Sequence, residues 1–131
     1  MIENLGGVTS DVARLALDAL SLRHELISHN IANARTPGYV PKRLEFAARL
    51  QTLVDSLQQG VDPGMFSQEV DRLRADIKSG TLTNAPTDQT VEVDMEMVDL
   101  TANVLQYRGL LDAQSKRGDI LRAAIRERSA M

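Results

Sequence analysis

Apolar residues recur at alternating steps of four and three near the start of the chain. The series consists of Val12, Leu15, Ala19, Leu22 and Leu26. A repeat of about 3.5 residues is typical of a helix that packs along a seam against another helix. The pattern therefore predicts a helix over residues 10–34. Its seam becomes polar in the last turns, where His29 and Asn33 continue the same phase.

A second series with the same rhythm runs through the other end of the chain. It consists of Val93, Met97, Leu100, Val104, Tyr107, Leu111, Leu121 and Ile125. This series predicts a longer helix over residues 90–128. A glycine inside a helix costs about 1 kcal/mol relative to alanine. We therefore expect Gly109 and Gly118 to mark a bend or a close approach of another helix.

The segment between the two series contains strong helix-ending signals. Pro37 disfavours the helical conformation at Thr36, and Pro37-Gly38 is typical of the centre of a type II turn. Beyond this turn, residues 42–58 have helical spacing, and residues 70–77 predict a shorter helix or a mobile segment. Residues 81–90 are rich in turn-forming side chains, which predicts a loop or an extended linker.

These elements predict an all-α fold. Long N- and C-terminal helices would form an antiparallel coiled-coil-like hairpin with a less ordered middle segment. The chain is then a single unit with three parts: an N-terminal helix and turn (1–41), a variable middle (42–89) and a C-terminal helix (90–131). In an antiparallel hairpin we expect Leu15 near Leu121, and Leu26 near Met97 or Val104.

Charge and composition exclude several classes of protein. The 131 residues include 15 Lys and Arg against 18 Asp and Glu, so the net charge is −3. Nucleic-acid-binding proteins usually show a basic excess instead, so no nucleic-acid partner is expected. No apolar run approaches the roughly 18 residues of a membrane span. The first residues lack the basic and apolar regions of a cleaved signal peptide, so none is expected.

The residues that might carry chemistry do not form a recognisable site. His24 and His29 are five positions apart and so face different sides of a helix, whereas a zinc-binding helix needs a spacing of four. Five carboxylates, which lie at Asp88, Glu92, Asp94, Glu96 and Asp99, are interpreted as charges favoured at a helix N-terminus. The sequence contains no cysteine, no phosphate-binding glycine loop and no nucleophile elbow. We expect no enzyme activity, metal, cofactor or small-molecule substrate.

One motif resembles a known family. The stretch Ser28-His29-Asn30-Ile31-Ala32-Asn33-Ala34-Arg35-Thr36-Pro37-Gly38-Tyr39 is similar to the motif that closes the first helix of bacterial flagellar rod and hook proteins. Its matching positions are Asn30, Ala32, Asn33, Thr36, Pro37, Gly38 and Tyr39. The segment from Glu96 to Ile125 resembles the family's C-terminal helix. Hook and distal-rod relatives insert large β domains between these ends. This short chain is therefore most like the family's proximal rod members.

The resemblance implies a structural subunit that assembles, with itself and with other rod proteins, into the hollow shaft that transmits torque. Implied partners are other rod proteins, the inner-membrane ring, the adaptor joining ring to rod, and the flagellar type III export apparatus. The implied location is the periplasm-spanning rod of the basal body, reached without a cleaved signal. The two apolar series would form the packing interfaces. Two alternatives remain open: a soluble helical adaptor or export chaperone, and a small helical enzyme.

Overall fold

The fold is described by a computed structural model that covers residues 2–130, and the side chains of residues 10–128. Along the chain the elements are α1 (Ile2–Ala32), β1 (Arg43–Leu44), α2 (Ala47–Gln58), α3 (Pro63–Ser79), β2 (Thr83–Asn84) and α4 (Val93–Ala130). The prediction of an all-α fold with long helices at both ends is confirmed.

The two terminal helices differ from the prediction mainly in their boundaries. Helix α1 begins at Ile2, well before the predicted start at residue 10, and ends at Ala32. Helix α4 continues through both glycines to Ala130. A methyl group added at Gly109 would meet no atom within 4 Å, and one added at Gly118 would meet only the guanidinium of Arg122 at 3.4 Å. Among the described residues, no other helix therefore comes close to either glycine.

The middle of the chain is more regular than the sequence predicted. Asp62 caps α3 by accepting a hydrogen bond from the Met65 amide at 3.4 Å, and Pro63 follows at the first helical position, where it is best tolerated. Gly80 ends α3 with a left-handed φ of 80°. The predicted helix over 42–58 begins only at Ala47, because residues 43–44 form β1, which pairs antiparallel with β2.

The hydrophobic core lies between α1 and the middle of the chain. Its buried members are Leu15, Ala19, Leu26, Leu44, Leu53, Phe66, Val70, Leu73 and Ile77. Full burial of a side chain such as leucine contributes about 1.5–3 kcal/mol, so the middle helices are a major source of stability. None of these residues belongs to α4. The core therefore does not form along the expected apolar seam between the two terminal helices.

Helix α4 packs antiparallel against α1. The Asn103 side chain reaches the carbonyl of Leu20, and Glu96 lies beside Asn30, so positions rise on one helix as they fall on the other. This register places Leu15 opposite a point about 13 residues before Leu121 on α4, or about 20 Å along the helix axis. The predicted proximity of Leu15 and Leu121 is therefore wrong.

Candidate functional site

The turn motif is fixed by one fully buried asparagine near the end of α1. Asn30 has no exposed surface. Its Nδ2 donates to the Lys42 carbonyl at 3.0 Å and to Glu96 Oε2 at 3.3 Å. Its Oδ1 accepts from the Tyr39 hydroxyl at 2.8 Å and from the Lys42 amide at 2.9 Å. An asparagine amide offers two N–H groups and two lone pairs, so its hydrogen-bonding capacity is filled.

The acidic partner of Asn30 comes from the first turn of α4. The Glu96 side chain has no exposed surface, and its Oε1 forms an ion pair with Arg43, whose side chain is 34% exposed. A buried carboxylate is costly unless a cation and hydrogen bonds compensate it. Arg43 supplies the cation, and Asn30 supplies a hydrogen bond. Residues 30, 39, 42, 43 and 96 are called the Asn30 cluster below.

A second asparagine organises the turn itself. Asn33 Nδ2 donates to the His29 carbonyl at 2.9 Å, and its Oδ1 accepts from the Thr36 hydroxyl at 3.2 Å. The Tyr39 amide donates to the Thr36 carbonyl at 3.2 Å, and Gly38 has a φ of 74°. This hydrogen bond and positive φ fit the predicted type II turn, in which glycine is favoured at the third position. The turn thereby directs the Tyr39 side chain back toward Asn30.

The pKa of the Tyr39 phenol depends on its burial and on the charges of the cluster. Burial raises the pKa of Tyr39 above its ordinary value, the Glu96 carboxylate raises it further, and the Arg43 guanidinium partly offsets the rise. The hydroxyl is therefore kept protonated, in the form that can donate to Asn30. In this way the burial and charges of the cluster favour the hydrogen bond that Tyr39 donates to Asn30.

A further polar link joins the helices two turns along α4. Asn103 is 3% exposed, and its Nδ2 donates to the Leu20 carbonyl at 2.8 Å. Together with Glu96 and Asn30 it gives the α1–α4 contact polar side chains at fixed positions. Since each polar group needs a particular partner, the contact specifies one register of α4 on α1.

The predicted packing residues occupy three environments. On α1, Leu15, Ala19 and Leu26 are buried, and Val12 and Leu22 pack against the core. On α4, three are half-buried, namely Leu100, Val104 and Tyr107. The other five are exposed: Val93 by 44%, Met97 by 50%, Leu111 by 43%, Leu121 by 55% and Ile125 by 64%.

The exposed side chains lie on two parts of the surface of α4. Leu121 and Ile125 continue the phase of Glu96 and Asn103, so they extend the face that contacts α1. Met97 lies to one side of that face, together with Val93 and Val104, which are four and seven positions away from it. Helix α4 therefore has more apolar surface than its contact with α1 covers.

The described residues offer no constellation for metal binding. Among residues 10–128, no group of three or more His, Cys, Asp or Glu side chains is placed to hold a metal ion. An open groove of about 910 Å³ lies between α1, the start of α2 and β2, and is lined by residues that include Ala16, Leu20, Phe46 and Leu82. Within the described residues, no helix is both long and apolar enough to cross a bilayer.

Sequence reasoning found the asparagines and Tyr39 but missed three members of the Asn30 cluster, namely Lys42, Arg43 and Glu96. Glu96 was interpreted as a charge favoured at a helix N-terminus, and Arg43 was not singled out. A signal for Glu96 was present, because it precedes Leu100, Asn103 and Tyr107 at steps of four, three and four. A carboxylate in phase with such a face predicts a buried ion pair. The identity of its partner is not encoded in that pattern.

Comparison with known proteins agrees with the motif. No protein-family model matches the chain, and no solved structure is significantly similar to it. It is 32% identical to the flagellar basal body rod protein FlgB of Escherichia coli over 114 residues, which cover 76% of this chain and 80% of the relative. Identity to the FlgB of Aeromonas hydrophila is 30%, covering 86% of this chain and 89% of that protein.

A third relative has a lower identity over a similar share of the chain. The FlgB of Bacillus subtilis is 26% identical over 117 residues, which cover 84% of this chain and 87% of the relative. These alignments span most of both sequences, so they include more than the short turn motif. The chain belongs to the family of FlgB flagellar basal body rod proteins.

Proposed function

We propose that this chain is a structural subunit of the proximal rod, which assembles with copies of itself and with other rod proteins into a hollow, torque-transmitting shaft. The observation that carries the proposal is the exposed apolar surface of α4, which remains after one face of the helix has packed on α1. Exposed apolar surface of this kind marks a site of protein–protein contact. Contacts between unlike surfaces that do not close into a ring generate helical assemblies.

The Asn30 cluster would set the angle of the subunit in such a shaft. It ties the end of α1, the turn and the start of α4 together at one point, so the two helices can transmit load as a pair. In the proposed function, the motif residues Asn30, Asn33 and Gly38 therefore act within the subunit. The exposed apolar residues of α4 act between subunits.

The proposal includes the partners that the family resemblance implies. These are other rod proteins, the inner-membrane ring, the adaptor between ring and rod, and the type III export apparatus. The proposed location is the periplasm-spanning rod, reached without a cleaved signal peptide. The proposed role is structural, not catalytic.

A substitution on the exposed surface of α4 tests the proposal. Leu111→Asp places a charge in the proposed interface, where burial without a partner is costly. We expect loss of swimming and loss of the subunit from purified basal bodies. Ala113→Asp, at an exposed position of the same helix outside residues 88–99 and 116–128, is the matched control and should leave both nearly unchanged. Both variants should retain the unfolding midpoint of the parent protein.

Normal swimming and normal incorporation of the Leu111→Asp variant would contradict the proposal. The alternative, a soluble adaptor or export chaperone, makes a different prediction about location. Such a protein would be absent from purified basal bodies even in its unaltered form. Detection of the unaltered chain in those particles therefore separates the two functions.

A further inference from the structure

The start of α4, taken with the five residues before it, and the far end of α4 carry opposite charges. Residues 88–99 contain no Lys or Arg, and their exposed acidic residues are Asp88, Glu92, Asp94 and Asp99. The other end, residues 116–128, is basic. Its cations are Lys116, Arg117, Arg122, Arg126 and Arg128, against the two acidic residues Asp119 and Glu127. We call residues 88–99 the acidic end and residues 116–128 the basic end.

The helix dipole accounts for only part of this distribution. Its effect falls off within the first and last turn of a helix. The residues within those turns are Asp94, Glu96 and Arg128. Asp99 lies beyond the first turn of α4, and Arg122 and Arg126 lie before its last basic position. Among the described residues, no ion pair within the chain neutralises Asp94, Asp99 or Arg126.

Both ends also expose apolar side chains next to the charges. At the acidic end, Met95 is 57% exposed and Val98 is 62% exposed. At the basic end, Ile120 is 69% exposed and Ile125 is 64% exposed. Each end therefore has apolar surface to bury and charges that select what covers it. This combination of apolar contact and complementary charge gives an interface both affinity and orientation.

We propose that the basic end of α4 in one copy of the chain docks on the acidic end of α4 in the next copy. The inference rests on the proposed function, and it specifies which surfaces meet. A second copy is the occupant because this chain itself carries both complementary halves. The ends belong to a helix about 57 Å long, so they cannot meet within one molecule. The contact joins unlike surfaces and leaves one of each free, so it adds copies in a line.

The test uses charge reversal at each end of the full chain. The first variant, Asp94→Lys with Asp99→Lys, cancels the exposed negative charge of the acidic end and leaves the basic end unchanged. The second variant, Arg122→Glu with Arg126→Glu, makes both ends acidic. Arg122 pairs with Asp119 on the same exposed helix face, which is a contact worth little to stability. The control, Asp11→Lys with Asp112→Lys, changes charge by the same amount away from both ends.

The measurement is sedimentation of concentrated protein at low and high ionic strength. We expect the unaltered chain and the control to associate at about 0.01 M ionic strength and to dissociate near 1 M, where the Debye length falls from about 30 to 3 Å. Each end-reversed variant should associate about tenfold more weakly, since a few exposed pairs together supply that factor. In an equimolar mixture, the basic end of the first variant can dock on the acidic end of the second, so the mixture should associate more strongly than either variant alone.

Three results would overturn the inference: no association of the unaltered chain at low salt, equal weakening in the control variant, or a mixture that associates no more strongly than either variant alone. The proposed function has a separate readout. If the charge-reversed variants still enter basal bodies and support swimming while Leu111→Asp does not, the chain is a rod subunit whose copies do not join in this way. If the unaltered chain is absent from basal bodies, the proposed function itself fails.

Discussion

The two ends of α4 differ in how far their side chains are buried by contacts within the chain. At its beginning, Glu96 is buried, paired with Arg43 and hydrogen-bonded to Asn30. At its far end, every side chain from Leu121 to Arg128 is exposed. The first end is therefore stabilised by contacts made within the chain. The second end has exposed apolar and charged groups, which the proposed contact between copies would cover, so stability and the proposed assembly depend on different parts of the helix.

The largest effect is expected from breaking the ion pair at the buried end. Arg43→Met leaves the Glu96 carboxylate buried without its cation, which should lower the free energy of unfolding by about 3–5 kcal/mol. Urea unfolding followed by circular dichroism measures the change. The control is Arg72→Met, which removes an exposed pair with Glu69 and should cost about 0–1 kcal/mol. Similar losses in both variants would show that burial of Glu96 is unimportant.

A smaller effect is expected at the turn that aims Tyr39. Gly38 has a φ of 74°, and no atom lies within 4 Å of the space that a side chain would enter. The cost of Gly38→Val is therefore backbone strain alone, about 1–3 kcal/mol. Asn tolerates this conformation far better, so Gly38→Asn is the matched control. Equal unfolding midpoints for the two variants would contradict this explanation.

The Tyr39 hydroxyl is expected to contribute in a pH-dependent way. At pH 7, Tyr39→Phe should cost about 0.5–1.5 kcal/mol, the contribution of one hydrogen bond. The pKa of Tyr39 is raised in the folded state, so its contribution is complete below the unfolded value near 10 and is lost as pH rises through the folded value. The stability difference between parent and variant should therefore shrink above about pH 10. A constant difference up to pH 11 or so would contradict this role.

The smallest effect on stability is expected at the exposed end. Ile125 is 64% exposed, so Ile125→Asp should change the free energy of unfolding by less than about 0.5 kcal/mol. The same change should weaken association of concentrated protein, measured by sedimentation. A large loss of stability would mean that this end is completed within the chain after all, and the contrast between the two ends would disappear.

The sequence predicted the helices well because their information is local. Periodic apolar residues specify a helix, and Pro37 and Gly38 specify where the chain must turn. The pairing of Leu15 with Leu121 was predicted wrongly, because a repeat shows which residues share a face but not what that face meets. The same limit hid Arg43, whose partner Glu96 is 53 positions away. The same limit left the core unpredicted, because Phe66 and Leu73 are buried against α1 and not only against other residues of the middle segment.

The saturation of Asn30 has a chemical consequence for what can stand at that position. Aspartate has nearly the same shape, but its ionised carboxylate has no N–H to donate to Lys42 or Glu96. It would also place a second negative charge beside the buried carboxylate, and like charges at such a distance repel strongly where water is excluded. Leucine would fill the space but leave the Lys42 amide and carbonyl unpaired. Hydrolysis of this single amide to an acid changes the size of the residue very little. It would nevertheless be enough to separate the turn from α4.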